Sequence, residues 1–106
     1  MDLEDIINEI QKKAGYLSNQ IPNLMFYFFG SITKTTKTVN DIDILVIYEH
    51  SNNPEMVREA FDSISNLFPI HFIFLSQQEE LELNFKTITR ARPIKIKKAS
   101  NRHFHP

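Results

Sequence analysis

Two acidic residues, Asp41 and Asp43, open an apolar run through Tyr48 that is typical of a buried strand. Because strand side chains alternate between the two faces of a sheet, these two carboxylates are expected to point the same way and lie close together. Carboxylates so placed repel each other unless a cation lies between them, and hard divalent ions prefer oxygen ligands. An unpaired carboxylate inside an apolar run is costly. The pair therefore predicts a metal site, the alternative being two acids that merely end a polar loop.

A Gly-Ser dipeptide precedes these acids at the end of the aromatic run Phe26–Phe29. Glycine supplies flexible backbone, and free backbone N–H groups together with a hydroxyl are common means of holding phosphate. Alone, Gly30 and Ser31 would indicate no more than an ordinary strand-to-loop turn. Combined with the two aspartates, they predict a nucleotide site. Lys34 and Lys37, in the threonine-rich loop that follows, are candidates for phosphate contact or simply solvated surface lysines.

The order of these features resembles the nucleotidyltransferase fold of the polymerase-β type, especially its minimal, stand-alone members, over about residues 1 to 80. The resemblance implies that Gly30, Ser31 and nearby backbone bind the nucleotide phosphates. It implies that Asp41 and Asp43 bind Mg²⁺ or Mn²⁺ together with a third acid from a later strand. The reaction it implies is transfer of a nucleotide from a nucleoside triphosphate, with AMP from ATP as the leading expectation, to an unidentified acceptor.

The chain departs from the family at His71, which stands where the third acid is expected. A neutral imidazole can accept a proton near pH 7, but it is a poorer ligand for Mg²⁺ than a carboxylate, and Mn²⁺ tolerates it better. Three interpretations remain open: a substitute base, an impaired site that still binds nucleotide, or a packed strand histidine. The alternative function is therefore a pseudo-enzyme that acts as a nucleotide- or protein-binding module. Glu49 is the nearest other acid, but it lies far along the strand from Asp43.

The chain is too short to carry a separate acceptor-binding domain, so specificity is expected to come from a protein partner or from a second copy of the chain. Minimal family members are often paired with a helical partner protein, in some cases as toxin–antitoxin systems, and the resemblance carries that expectation over by analogy. The loop after the Gly-Ser pair also lacks a further glycine that is frequent in the family.

The periodicity predicts an α+β fold, a two-layer arrangement with a short mixed sheet flanked by helices. A helix is expected to begin after the N-cap Asp2. One option is that this helix ends near Gly15, because glycine inside a helix lowers its stability by about 1 kcal/mol relative to alanine. Alternation also predicts a short edge strand at 94–97. The predicted strands are Leu24–Phe29, Ile42–Tyr48 and Ile70–Leu75, and further helices are expected from Asn53 to Pro69 and from the capping box Ser76–Glu79 to about Phe85.

The charge distribution divides the chain into a core, residues 1–85, and a basic extension, residues 86–106. The extension is expected to end in a frayed tail. All 13 acidic residues lie in the first part, and seven of the 12 Lys and Arg lie in the second. The extension is able to bind an anionic partner such as nucleic acid, or simply to neutralise the acidic body. Interleaved aromatic residues, which strengthen single-strand binding, are lacking there. Nucleic acid is therefore the weaker prediction.

The composition fits one globular domain: 42% of the residues are hydrophobic, nine of them Phe. With no Cys, the chain has no disulfide, thiolate or zinc–cysteine chemistry. The acidic start lacks the features of a secretory signal, and no apolar stretch is long enough to span a bilayer. We therefore expect a cytoplasmic protein without membrane contact.

Overall fold

The computed structural model describes residues 2–34 and 38–96, and its first element is helix α1, Leu3–Gln20. Asp2 caps this helix, because its carboxylate accepts a hydrogen bond from the Asp5 backbone N–H at 2.9 Å. The prediction that the helix ends near Gly15 is wrong. Gly15 itself is buried, and Leu17 beyond it packs into the core. Burial of the following turn outweighs a propensity cost of about 1 kcal/mol.

A four-stranded mixed sheet forms the centre of the fold, as the alternation and apolar runs predicted. The strands are β1 Met25–Phe29, β2 Ile42–Tyr48, β3 Ile70–Ser76 and β4 Arg92–Pro93. Strand β2 pairs antiparallel with β1 and parallel with β3, while β4 pairs antiparallel with the other side of β1. The order across the sheet is therefore β3-β2-β1-β4.

The edge strand predicted at 94–97 lies two residues earlier. Arg92 and Pro93 are the paired residues, and Lys97 is outside the described part of the chain. Ile94 still donates its N–H to the carbonyl of Phe26 at 3.0 Å, and its side chain is buried in the core. The apolar residue thus follows the strand and anchors it.

Two short helices replace the single helix predicted after Asn53. The backbone at Phe61 (φ −92°, ψ 1°) leaves helical geometry and separates them. The N-cap is Asn52 instead of Asn53, which begins the helix and whose side chain accepts the His50 N–H at 3.0 Å. The capping box at Ser76 is present as predicted. The remaining helices are α2 Asn53–Ala60, α3 Asp62–Ser65, α4 Gln77–Leu83 and α5 Phe85–Thr89.

The two faces of the sheet have different roles. The first packs against α1, α2 and α3 and carries most of the buried core. The second carries a smaller cluster of Tyr27, Leu45, Ile47 and Leu75, on which Phe85 of α5 packs. By strand alternation Asp43 belongs to this second, less covered face.

None of the described helices has the length and apolar character needed to cross a membrane.

Phe61 tests how far the first face stabilises the fold. Its side chain is fully buried, and its ring centroid lies 6.0 Å from that of Phe26 and 5.3 Å from that of Phe72. Phe61→Ala is expected to lower the free energy of unfolding by roughly 3–5 kcal/mol, measured by urea denaturation. Leu67→Ala is the control, since Leu67 is 60% exposed and its loss should change stability by no more than about 0.5 kcal/mol. Equal losses of stability at the two positions would contradict the assignment of Phe61 to the core and of Leu67 to the surface.

Candidate metal and nucleotide site

Three side chains converge at one end of the central strand pair. Asp43 lies directly opposite His71 in the parallel register of β2 and β3, and Asp41 immediately precedes β2. The Nδ1 atom of His71 is 3.6 Å from Asp41 Oδ2 and 3.6 Å from Asp43 Oδ1. Each of the three side chains offers a ligand atom, and these atoms lie within 4.8 Å of one another. The two carboxylates therefore lie on one face together, as alternation predicted.

The exposure of these side chains defines an open site. The His71 side chain is 64% exposed, that of Asp41 is 39% exposed and that of Asp43 is 24% exposed. His71 is therefore not a packed strand histidine, and that interpretation is wrong. The imidazole lies beside the carboxylates and within reach of a bound molecule.

The spacing and chemistry of the three groups suit a divalent metal ion. Two ligand atoms that each lie about 2.1 Å from one ion are at most about 4.2 Å apart, so the 3.6 Å separations fit with only small adjustments. Carboxylates suit Mg²⁺ and Mn²⁺, whereas imidazole suits transition metals better than it suits Mg²⁺. The mixed donor set therefore fits a divalent metal ion.

The electrostatics at Asp43 also favour a cation. Burial raises the pKa of the Asp43 carboxyl, and the neighbouring charge of Asp41 raises it further. His71 opposes both effects and lowers the pKa. The net direction is upward, so the ionised form of Asp43 is disfavoured in the metal-free site. A bound cation would relieve this cost.

Gly30 brings a tight turn directly against Asp43. Its φ is +73°, in the left-handed region, and a Cβ at this position would collide with Asp43 Oδ2. The turn is a 3-10 helix, Gly30–Thr33, fixed by a 2.7 Å hydrogen bond from Thr33 Oγ1 to the Gly30 carbonyl. Glycine is thus required here both by the backbone conformation and by the close approach of a carboxylate.

The remaining candidates are distributed unevenly. Ser31 is half-buried in the turn, and its hydroxyl has no hydrogen-bond partner among the described residues. Lys34 is exposed and donates its backbone N–H to the Ser31 carbonyl at 3.0 Å, whereas Lys37 lies outside the described residues. Glu49 is hydrogen-bonded to Asn23 at the far end of β2, away from the site.

Two aromatic residues beside the site were not singled out from the sequence. Phe29 lies opposite Asp43 in the register of β1 and β2, and its ring meets that of Phe85 edge-on at 5.3 Å. Phe29 is thus the strand neighbour of Asp43, and Phe85 packs on Phe29. The position of Phe29 directly before Gly30 was a usable signal, but the position of Phe85 depends on the packing of α5 against the sheet.

Gly30→Ala should damage the site through both the backbone and the carboxylate. We expect a loss of at least about 1–2 kcal/mol in stability from the left-handed conformation alone, and a fall of at least about tenfold in Mn²⁺ affinity as Asp43 is displaced. Urea denaturation and calorimetric Mn²⁺ titration measure these changes. In an Asp43→Ala background the collision is removed, so the stability loss caused by Gly30→Ala should shrink. An unchanged loss there would show that Asp43 does not contact the added methyl group.

The raised pKa of Asp43 predicts a pH-dependent stability. In the metal-free protein the folded state holds the Asp43 proton more tightly than the unfolded state does, so its ionisation destabilises the fold as pH rises above about 3.9, the unfolded value. Asp43→Asn should therefore raise the melting temperature at pH 7, and the difference should shrink as pH falls toward about 3.9. Glu59→Gln, at an exposed position, is the control.

Added Mn²⁺ should make the wild type more stable than Asp43→Asn. An ion that binds only the folded state stabilises that state, and the variant has lost one of the side chains expected to bind the ion. Thermal melts with and without Mn²⁺ measure both effects. An Asp43→Asn variant less stable than the wild type at pH 7 without metal would contradict the charge assignment.

The comparisons with known proteins agree with this geometry. A model of the family described as Polymerase beta, Nucleotidyltransferase matches residues 5–100, nearly the whole chain. A search of curated proteins found no significant match. The match covers the helices, the mixed sheet and all three converging side chains. The chain belongs to the polymerase beta nucleotidyltransferase family.

Proposed function

We propose that the protein is a metal-dependent nucleotidyltransferase that transfers a nucleotide, with AMP from ATP as the leading candidate, to a hydroxyl group on a protein partner or on a second copy of the chain. The observation that carries the proposal is the convergence of Asp41, Asp43 and His71 within 4.8 Å. If these three side chains lay far apart in the same fold, a binding or structural role would be the better proposal. Their proximity and their chemical types support a catalytic site.

The 3-10 turn is the proposed cradle for the triphosphate. The Ser31 hydroxyl has no competing partner among the described residues. The space where a Cβ of Gly30 would lie is taken by the Asp43 carboxylate, so the turn lies directly beside one of the proposed metal ligands. Backbone N–H groups in such turns bind anions. Lys34 is exposed beside the turn and supplies a positive charge for the outer phosphates. Phe29 lies opposite Asp43 in the register of β1 and β2, and the Phe85 ring packs on Phe29.

Asp41 and Asp43 would hold the divalent ion, and a bound ion would neutralise charge on the transferring phosphate. In the transfer, the acceptor oxygen forms a bond to the α-phosphorus while the bond from that phosphorus to the bridging oxygen breaks and pyrophosphate leaves. The proton of the acceptor hydroxyl passes to His71, which in this role is not bound to the ion, because a neutral imidazole has one lone pair and cannot hold both an ion and the incoming proton. His71 suits this role because its ring is 64% exposed and close to both carboxylates.

The second candidate is a nucleotide-binding module without turnover. The specific observation in its favour is His71 itself, because imidazole supplies a weaker Mg²⁺ ligand than the acid it replaces. The two candidates share the fold and the cradle and differ in whether phosphorus chemistry occurs. They also differ in what restoring an acid at position 71 should do.

Transfer from α-labelled ATP tests the enzyme. The wild-type chain, with Mg²⁺ or Mn²⁺, should label itself or a protein from its native extract, and Asp43→Asn should reduce labelling to background. If His71 is the base, His71→Ala should lower the rate by about 10²–10⁴-fold. His71→Asp should shift the preference toward Mg²⁺. Lys12→Ala, at an exposed position on α1, is the control and should leave labelling unchanged.

Calorimetry with a non-hydrolysable ATP analogue separates the two candidates. The enzyme proposal expects metal-dependent binding and Asp43-dependent labelling. Tight binding with no labelling by either the wild type or His71→Asp would establish the binding module instead. Labelling gained only with His71→Asp would show that the fold is competent but that His71 leaves the natural site impaired.

A further inference from the structure

The two edges of the sheet are protected very differently. Strand β4 forms one edge with only two residues, an arginine and a proline. Charge, proline and short length are the usual means by which proteins prevent another strand from pairing with an edge. Strand β3 forms the opposite edge with seven residues and contains neither a charged Lys, Arg, Asp or Glu nor a proline. The β3 edge thus lacks each of these protections.

The β3 edge also presents a regular set of backbone groups. The Pro69 carbonyl accepts the Ile42 N–H at 3.0 Å, which fixes the phase of the parallel ladder. By alternation, the backbone groups of His71, Ile73 and Leu75 point toward β2. Those of the intervening residues Ile70, Phe72 and Phe74 point away from the sheet. Among the described residues, these outward N–H and C=O groups have no hydrogen-bond partner.

We propose that β3 pairs antiparallel with β3 of a second copy, about a two-fold axis at Phe72. In this register Phe72 faces its own copy, and Ile70 faces Phe74 of the second copy. Each of these is a hydrogen-bonded pair of the antiparallel type, so every outward N–H and C=O of the three residues is satisfied. Like charges do not oppose one another, because the strand carries none of the four fully charged residue types.

Neighbouring registers are less favourable for specific reasons. An axis at Ile73 or at Phe74 would require the Ser76 N–H, which is already donated to Glu79 Oε1 at 2.8 Å in the capping box of α4. An axis at Ile70 or at His71 would require pairing at Phe68, which lies outside the strand. The axis at Phe72 is therefore the register that uses the free groups of this edge and no others.

The side chains along the edge fit the same register. Phe72 and Phe74 stack with ring centroids 5.4 Å apart and are only partly buried on the helical face. The Arg58 guanidinium lies 4.6 Å from the Phe74 ring centroid and covers that end of the strand. Phe72 lies at the centre, where directly opposed side chains of an antiparallel pair approach to about 4.5–5.5 Å. The second copy would bury this ring against its own equivalent.

The pairing would also join the two candidate sites. Residues opposed in an antiparallel pair share a face, so His71 would lie opposite Ile73 of the second copy. The two His71 residues would be diagonal neighbours, about 7–8 Å apart. Both sites would then open on one face of a continuous eight-stranded sheet, where each copy is positioned as a neighbour to the other's site. The interface itself does not depend on nucleotide transfer.

The test uses the full-length chain without substitutions. Sedimentation velocity over a concentration series should show the mass rising from 12.5 kDa toward twice that value. Amide exchange at Ile70, Phe72 and Phe74 should slow in parallel with dimer formation. The amides of Ile73 and Leu75, which point toward β2, serve as internal controls and should be protected at every concentration.

A cross-link tests the register directly, since the natural chain has no cysteine. Opposed Cα atoms in a hydrogen-bonded antiparallel pair lie about 5.5 Å apart, within disulfide range. Phe72→Cys should therefore form a disulfide-linked dimer under mild oxidation. Met25→Cys, at a position 46% exposed on an interior strand, should remain monomeric under the same conditions.

Each outcome decides the proposal. A dimer with protected Ile70, Phe72 and Phe74 amides supports it, as does a cross-link specific to position 72. A chain that stays monomeric at millimolar concentration overturns the proposal. This holds also if the β3 amides are protected in the monomer, because another segment of the same chain would then cover the edge. A dimer in which these amides exchange freely also overturns it, because another surface would then form the interface. Loss of nucleotide transfer without loss of the dimer would count only against the proposed function.

Discussion

The parallel pairing of β2 with β3 is the constraint on which the site depends. It places Asp43 directly opposite His71 and brings both within reach of Asp41. The register is held by side chains on the opposite face of the sheet from the site: Ile42 and Ile44 are fully buried on the helical face, next to Ile70 and Phe72. A slip of one residue would turn these apolar side chains toward the open face. The buried face of the sheet therefore fixes the geometry of the exposed one.

The approach of Gly30 to Asp43 adds a second constraint, from the antiparallel side. Phe29 is the β1 partner of Asp43, so the residue after it begins its turn beside that carboxylate. A left-handed glycine allows the chain to turn there without a side chain between backbone and carboxylate. The glycine turn and the acidic cluster are thus adjacent because β1 and β2 pair, and the long loop between them does not alter that contact.

Local patterns in the sequence were sufficient for the three longer strands and for the carboxylate pair, since both depend on short-range periodicity. Strand β2 begins and ends where predicted because polar residues bound its apolar run. Tertiary packing decided the rest. Helix α1 continues through Gly15 because the next turn is buried, and the helix after Asn53 breaks at Phe61 although its apolar spacing continues to Ile64. The contact of His71 with the carboxylates required the register between strands, which depends on side chains outside the site.

The histidine changes the energetics of the site as well as its ligands. Three carboxylates so close together would repel strongly without metal, and that repulsion would itself drive cation binding. His71 removes one of those charges and lowers the pKa of Asp43, against the effects of burial and of Asp41. The metal-free cluster is therefore less unfavourable than a triad of acids, and less of the driving force for binding comes from charge alone.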